Sequence, residues 1–313
     1  MTGHNKIGID LGGTKIAAVA LSGSDKVLFE ARMATPKGDY HGVIKAIAAL
    51  VEQAKATCGG PTIGSEPTIG IGIPGSQNPQ TGLIQNANST WMNGKDFQRD
   101  VSAALGQPVR LANDADCFTL SESHDGAGID ARTVFGVIIG TGCGGGLVID
   151  GKLLAGRHAI AGEWGHTPLP WPNNSEFPAP VCWCGRQGCL ELWVSGSGLE
   201  RDFNTTNKAV SGQDLSADEI SWRALEGDEA CRNALDHHCD RLARGLAMVS
   251  NIIDPDVIVL GGGLSNMGHL YQRLPDLMEP YIFADPVNID IRCPLHGDAS
   301  GVRGAARLWD ASP

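Results

Sequence analysis

The chain has 313 residues, 42% of them hydrophobic and 19% charged, and a formal net charge of −11 at pH 7. That is the composition of a globular protein, long enough for one large domain or two ordinary ones, and not that of a disordered chain. The acidic balance argues against a nucleic-acid partner, and no apolar run approaches the ~20 residues of a membrane span.

The N-terminus, MTGHNKIGIDLGG, lacks a basic segment followed by an apolar one, so a cytoplasmic location is expected. Residues 6–11 (KIGIDL), 16–21 (IAAVAL) and 27–33 (VLFEARM) read as three strands joined by short turns. Helical spacing follows over 41–57, then a strand at 68–73 ending in Pro74-Gly75, a short strand at 109–112 and a helix at 114–124. The pattern then restarts. A strand at 133–139, a glycine turn and a strand at 146–150 precede helices at 195–205, 214–226 and about 228–252. A strand at 256–260, a helix near 265–279, a strand at 288–293 and a last helix at 299–311 complete the chain. Two halves that each open with strand, glycine turn and strand predict two related α/β lobes with a cleft between them, and the boundary is placed near 115.

The 42 glycines cluster after apolar β-branched runs, which marks turns after strands and not a flexible linker. In Asp10-Leu11-Gly12-Gly13-Thr14-Lys15 the glycines permit a tight turn that presents N–H groups to phosphate oxygens. Thr14 and Lys15 add a hydroxyl and a cation, and Asp10 is placed to hold Mg²⁺ through water. The spacing is neither that of a Walker loop nor that of a dinucleotide fingerprint. Gly140-Thr141-Gly142 opens a second such turn in the second half, and Gly261-Gly262-Gly263, after VIVL, is a third, where a helix N-terminus would sit beside a nucleotide. Cys143 has no histidine partner nearby and reads as a small residue near backbone.

The segment NDAD (113–116) lies between a strand and a helix. Phosphoryl transfer needs a carboxylate to take the proton of the attacking hydroxyl, and Asp114 or Asp116 would serve, with N-capping by Asn113 or Asp114 as the structural alternative. Glu163, His166, Glu191 and Asn88 are of the types that bind sugar hydroxyls in pairs, and Trp91 is either a sugar platform or core.

Nine cysteines, an odd number and mostly dispersed, do not read as a disulfide framework. Three of them form Cys182-x-Cys184-x4-Cys189, with His166 sixteen residues before Cys182. Cys-x-Cys would close a strained disulfide, and a redox pair is more usually C-x-x-C. Three thiolates and an imidazole make a tetrahedral Zn²⁺ set with no open position, hence a structural zinc; His158 is the less favoured fourth ligand. With Glu163 and Glu191 flanking these ligands, the ion would brace a binding wall.

In this order IGIDLGGTK, GIGIPG, LANDAD, IIGTGCGGG, AGEWGH, CWCGRQGCLE, VIVLGGG and HGDASGVRGAA resemble the ROK (repressor, open reading frame, kinase) family over about residues 6–311. The resemblance implies an α/β, two-lobed actin-like (ribonuclease H-like) ATPase fold with a zinc site. Its small lobe would comprise 1–115 plus a C-terminal helix at 299–313, and its large lobe 116–298. It implies a phosphotransferase acting on a hexose with ATP and Mg²⁺, with Asp114 as base and Gly75, Asn88, Asn113, Asp114, Glu163, His166 and Glu191 at the sugar. NANSTWMNG with HTPLPWP looks like the fructokinase branch, which also takes mannose; N-acetylglucosamine kinase and glucokinase are the alternatives. A sugar-responsive repressor of the same family would carry a helix-turn-helix ahead of the first glycine turn, for which no room is expected. A hexose and ATP are the implied partners, and a homodimer the assembly to test.

Overall fold

The computed structural model describes residues 4–58, 66–211 and 213–310. Its elements in chain order are β1 (Lys6–Leu11), β2 (Lys15–Leu21), β3 (Val27–Ala34), α1 (Tyr40–Thr57), β4 (Thr68–Ile73), β5 (Ser76–Gln77), β6 (Ile84–Gln85), α2 (Phe97–Leu105), β7 (Val109–Asn113) and α3 (Asp114–Asp125). There follow β8 (Thr133–Ile139), β9 (Cys143–Ile149), β10 (Lys152–Leu153), α4 (Glu191–Val194), α5 (Gly196–Ser211), α6 (Ala217–Leu225), α7 (Glu229–Ile253), β11 (Val257–Gly261), α8 (His269–Met278), β12 (Ile291–Arg292) and α9 (Ser300–Ala306). The chain divides into two compact units, one of Met1–Ile129, Gly146–Ala161 and Leu295–Pro313, the other of Asp130–Gly145 and Gly162–Pro294.

In the first unit the sheet order is β3-β2-β1-β4-β7. β1 pairs antiparallel with β2 and parallel with β4, with Asp10 opposite Ala17 and Gly72. The period-2 alternation decides its two faces. Ile7, Ile9, Ile69 and Ile71 are fully buried with Ile47 and Leu50 of α1 and Phe97 of α2. The opposite face carries Gly8 and Gly70, because α9 lies against it at backbone contact: a β-carbon at Gly8 would sit 2.0 Å from the Val302 carbonyl oxygen, and one at Gly70 1.9 Å from that of Ala305. α9 is in turn pressed on α3, where a β-carbon at Gly304 would meet the Cys117 carbonyl oxygen at 1.7 Å. α1 starts where Asp39 accepts a hydrogen bond from the Gly42 N–H at 2.8 Å.

The expected boundary near 115 therefore falls at the start of α3, which the close α3–α9 packing keeps in the first unit. The last helix is shorter than expected: Gly297–Ala299 is a 3₁₀ turn before α9, and position 311 lies outside the described residues.

In the second unit β8, β11 and β12 are parallel, with Val257 opposite Val134 and Ile258 opposite Ile291. β9 starts in this unit and continues into the first, where it pairs with β10. The 25-residue α7 is capped by Asp228, whose carboxylate accepts from the Cys231 N–H at 3.1 Å, and ends on Asp254 in the left-handed region. α4, α5, α6 and α8 pack on it. Two expectations change here. The glycine run 140–146 is a turn only as far as Gly142, since β9 begins at Cys143. The helix near 265–279 is a 3₁₀ turn, Gly263–Asn266, followed by α8, so no α-helix N-terminus stands at Gly261–Gly263. The β5–β6 hairpin was not expected; it is short and lies in a stretch rich in Asn, Gln and Gly without strand periodicity. No described helix is long and apolar enough to cross a membrane.

Candidate active site

In the first unit the glycine turn closes tightly. The Gly12 N–H donates to the Lys15 carbonyl at 3.0 Å, and Thr35 Oγ1 donates to the Gly12 carbonyl at 2.8 Å. Gly13, Thr14 and Lys15 stay exposed at its tip, and Lys15 Nζ lies 3.8 Å from the exposed Asp298 carboxylate. Such an exposed pair contributes little and leaves the ammonium available to a ligand.

Asp10 is the penultimate residue of β1, on the α9 face, where a β-carbon at Gly301 would be 3.4 Å from its Oδ2. Burial, reinforced by the Asp114 charge and opposed by Lys15 and Arg32, raises its pKa to about 6. An unfolded aspartate ionises near about 3.9, so as pH rises from there to about 6 the folded protein loses stability, by roughly 3 kcal/mol in all. Asp10→Asn removes that cost. Its melting temperature should exceed the parent's at pH 7.5, with the gap narrowing as pH is lowered to 5; equal calorimetric melts at pH 7.5 would refute the reading.

Asp114 is the first residue of α3 and Asn113 its N-cap. The Asn113 Oδ1 and the Asp114 Oδ1 both accept from the Ala115 N–H at 2.9 Å, while Asn113 Nδ2 donates to the Gly75 carbonyl at 3.0 Å. Asp114 remains open to solvent although protein surrounds its carboxyl, and that burial pushes its pKa up against the backbone hydrogen bond from Ala115. Asp116, two positions beyond, is buried. Of the residues considered in NDAD, Asn113 makes the cap and Asp114 faces solvent.

Gly75 has φ +79° and approaches Ala87 so closely that a β-carbon would lie 2.6 Å from its nitrogen. Asn93 clamps the same loop, accepting from the Ala87 N–H at 2.9 Å and donating to its carbonyl at 3.0 Å. Asn88 is left exposed at the tip. Trp91 packs against the core of this unit, which favours its reading as core.

In the second unit Glu191, at the start of α4, joins two motifs that are distant in sequence. Its Oε2 accepts from the Cys143 N–H at 3.0 Å and its Oε1 from Trp183 Nε1 at 2.9 Å. Gly142 lies close to the same carboxylate: a β-carbon there would be 2.9 Å from that Oε2 and would push the Glu191 side chain aside. Burial beside Glu191 and Glu163 raises the Cys143 thiol well above its usual range, so it is no nucleophile. Glu163 precedes a single 3₁₀ turn, Trp164–His166, that Trp164 pins by donating from Nε1 to the Gly144 carbonyl at 3.0 Å.

His166, Cys182, Cys184 and Cys189 come together, one ligand atom from each lying within 4.8 Å of the others. Cys184 Sγ and Cys189 Sγ are 3.6 Å apart, and His166 Nδ1 is 3.7 Å from Cys182 Sγ. Tetrahedral zinc with thiolate and imidazole ligands requires separations of about 3.5–3.8 Å, which these two pairs meet, and three sulfurs with an imidazole are donors suited to that ion. Gly185 (φ +85°) and Gly188 (φ +77°) supply the curl that spacing alone suggested. His158 belongs to the first unit, where its carbonyl accepts from Gln85 Nε2, and is not in the cluster.

The turn at Gly140–Gly142 lies against the start of α5: the Gly196 N–H donates to the Gly140 carbonyl at 2.7 Å and Ser197 Oγ to the Thr141 carbonyl at 2.7 Å. Gly140, Thr141, Ser197, Glu200, Asp218 and Gly263 line a cavity of about 320 Å³. Gly262 (φ +82°) brings the third glycine turn onto β8, where a β-carbon would meet the Ile139 carbonyl oxygen at 2.5 Å. Sequence reasoning missed Ser197, Glu200 and Asp218; SGSG at 195–198 is a glycine-serine helix start that could have drawn attention to them.

The chain matches the ROK family over residues 6–312. It is 37% identical over 310 residues to the N-acetyl-D-glucosamine kinase of Haemophilus influenzae, covering 96% of this chain and 98% of that protein. Among solved structures, the ROK hexokinase of Thermus thermophilus superposes with a TM-score of 0.82 at 30% identity, over 96% of each chain. The ROK family glucokinase of Streptomyces griseus, solved with glucose and AMPPNP, gives 0.78 at 27% identity, over 97% of this chain and 98% of that one. The chain belongs to the ROK family, as a sugar kinase of that family.

Proposed function

We propose that the chain is an ATP-dependent N-acetyl-D-glucosamine kinase that forms the sugar 6-phosphate and ADP. The observation that carries the sugar is the 37% identity along almost the full length of a kinase so named. The fructokinase expectation rested on NANSTWMNG and HTPLPWP, two short stretches, and yields to a likeness distributed over the whole chain. Fructose remains the competing substrate to measure.

In this reading Asp114 takes the proton of the 6-hydroxyl as its oxygen attacks the γ-phosphorus. The bond from that phosphorus to the β,γ-bridging oxygen breaks, and ADP leaves with the electron pair. A carboxylate with a raised pKa suits a general base near neutral pH. Gly75, Asn88, Asn113, Glu163, His166 and Glu191 are assigned to the sugar. Glu191 is held by two donors, and neither would need to move for it to accept a sugar hydroxyl.

Gly12, Gly13, Thr14 and Lys15 are assigned to phosphate, as are Gly140, Thr141 and Gly142. The cavity beside Gly140 and Gly263 fits the nucleoside end of ATP: Glu200 and Asp218 suit ribose hydroxyls, and the start of the 16-residue α5 favours an anion. Gly261 and Gly262 support that wall. Asp10 would hold Mg²⁺, directly or through water, and a metal bound with ATP neutralises charge on the transferring phosphoryl group. His166, Cys182, Cys184 and Cys189 would hold a structural zinc.

A panel of hexoses with MgATP, read by ADP release, tests the sugar. kcat/KM for N-acetylglucosamine should exceed that for fructose, mannose and glucose by about tenfold or more. A preference for fructose would overturn the reading and restore the alternative.

A further inference from the structure

Between the metal-ligand positions His166 and Cys182 runs a strap with five prolines and, among its described residues, a single 3₁₀ turn (Asn174–Glu176) as regular structure. Little in it can hold itself. Its two ends are pinned to the 187–189 segment, where the Leu169 N–H donates to the Gly188 carbonyl at 3.0 Å and the Gly188 N–H to the Pro180 carbonyl at 2.8 Å; its middle is held by α7. Arg244, 2% exposed, donates from Nη1 to the carbonyls of Pro170 at 3.1 Å and Trp171 at 2.8 Å, and from both terminal nitrogens to the Glu176 carboxylate. Glu176, also 2% exposed, accepts from the Asn173 N–H at 2.8 Å, so the same carboxylate folds the strap and ties it to the helix. Arg241, one turn earlier, donates from Nε to Glu176 at 3.0 Å and from Nη1 to Asp202 of α5 at 2.6 Å.

The next residue of α7 makes a second, uncharged contact. A β-carbon at Gly245 would lie 2.7 Å from Leu190 Cδ2 and 3.0 Å from Trp164 Cζ3. Leu190 stands between Cys189 and Glu191, and Trp164 stands between Glu163 and Gly165. Consecutive positions of one rigid helix therefore bear on the strap and on both segments that carry the sugar-assigned carboxylates.

We propose that Arg244 with Glu176, and Gly245 beside them, are positioning residues. They set the register of the His166–Cys182 strap and of the Glu163 and Glu191 segments against α7, and so act on sugar binding and metal retention without touching the sugar. This rests on the sugar and zinc assignments above. Burial makes the device stringent: without Arg244 the buried Glu176 keeps only Arg241 as a cation, and rearranging the strap would break four hydrogen bonds from Arg244 at once.

The test uses full-length Arg244→Met, Arg244→Lys and Gly245→Ala proteins, each checked for fold by circular dichroism. Three quantities are measured: zinc release to a colorimetric chelator, KM for N-acetylglucosamine, and KM for ATP. Arg244→Met should release zinc about tenfold or more faster and raise the sugar KM by a similar factor, with ATP KM within about twofold and Arg244→Lys intermediate. Gly245→Ala should raise the sugar KM alone among the Michaelis constants. A parent that binds zinc and folded variants whose zinc release and sugar KM both match it would overturn the proposal. A parent without zinc would remove the metal assignment only; the sugar KM of the same variants then decides, a rise supporting the positioning role and parent-like values overturning it. If Arg244→Met does not fold, Arg244→Lys and Gly245→Ala carry the same comparison.

Discussion

Asp114→Asn is expected to lower kcat by about 10²–10⁴-fold while the sugar affinity measured by calorimetric titration stays near the parent's. The substitution is conservative for structure. Asn keeps an oxygen that can accept from the Ala115 N–H, as Asp114 Oδ1 does at 2.9 Å, and the cap made by Asn113 is untouched. What disappears is a group that can take a proton. Because protein around the Asp114 carboxyl raises its pKa, the acid limb of the parent's kcat/KM profile should also lie above the ordinary aspartate range. The sign follows from the role: the base works deprotonated, so activity falls as pH drops through the raised pKa. A kcat for Asp114→Asn within tenfold of the parent would remove Asp114 from the chemistry and leave Asn113–Asp114 as a helix start only.

The second large effect is expected at the cysteine cluster. Parent protein should contain about one zinc per chain, and Cys184→Ser should lose most of it. Cys184 is half-buried and Cys182 and Cys189 are buried, so serine fits sterically and the change is chiefly one of ligand chemistry. Burial already pushes the Cys189 thiol up to about 12, so a cation is what would make these sulfurs ionise together. Loss of the ion should lower the melting temperature by roughly 5–10 °C, the size expected for a few kcal/mol in a chain of this length. Sugar KM should rise with it, because Trp183 sits inside the cluster's loop and donates to Glu191. A drop in stability with unchanged sugar KM in the folded fraction would separate the cluster from the sugar site, and a parent without zinc would remove the ligand assignment itself.

The strands and longer helices were legible because their physics is local. KIGIDL and TIGIGI alternate isoleucine with small residues, and the buried isoleucines on one face with Gly8 and Gly70 on the other are that alternation in three dimensions. The Cys-x-Cys-x4-Cys spacing was readable as a cluster because one short loop, bent by Gly185 and Gly188, carries all three thiols; bringing His166 to it takes the strap that α7 holds. The β5–β6 hairpin and the true extent of the Gly140–Gly146 run were not legible, since short elements are stabilised by what they pack on and not by their own periodicity.

The sequence by itself therefore determined which residue types are available for chemistry: carboxylates at the ends of strands, glycines where backbone must turn or be approached, and three thiols beside a histidine. Only the tertiary structure decided which of them meet. It separated Asp114 from Asp116 by exposing one and burying the other, and it excluded His158 from the cluster that holds His166. It also bound Glu191 to Cys143 across 48 positions and Arg244 to Glu176 across 68. The reason is range: turn and strand preferences act over a few residues, whereas a buried charge or a missing β-carbon is explained only by the distant chain packed against it.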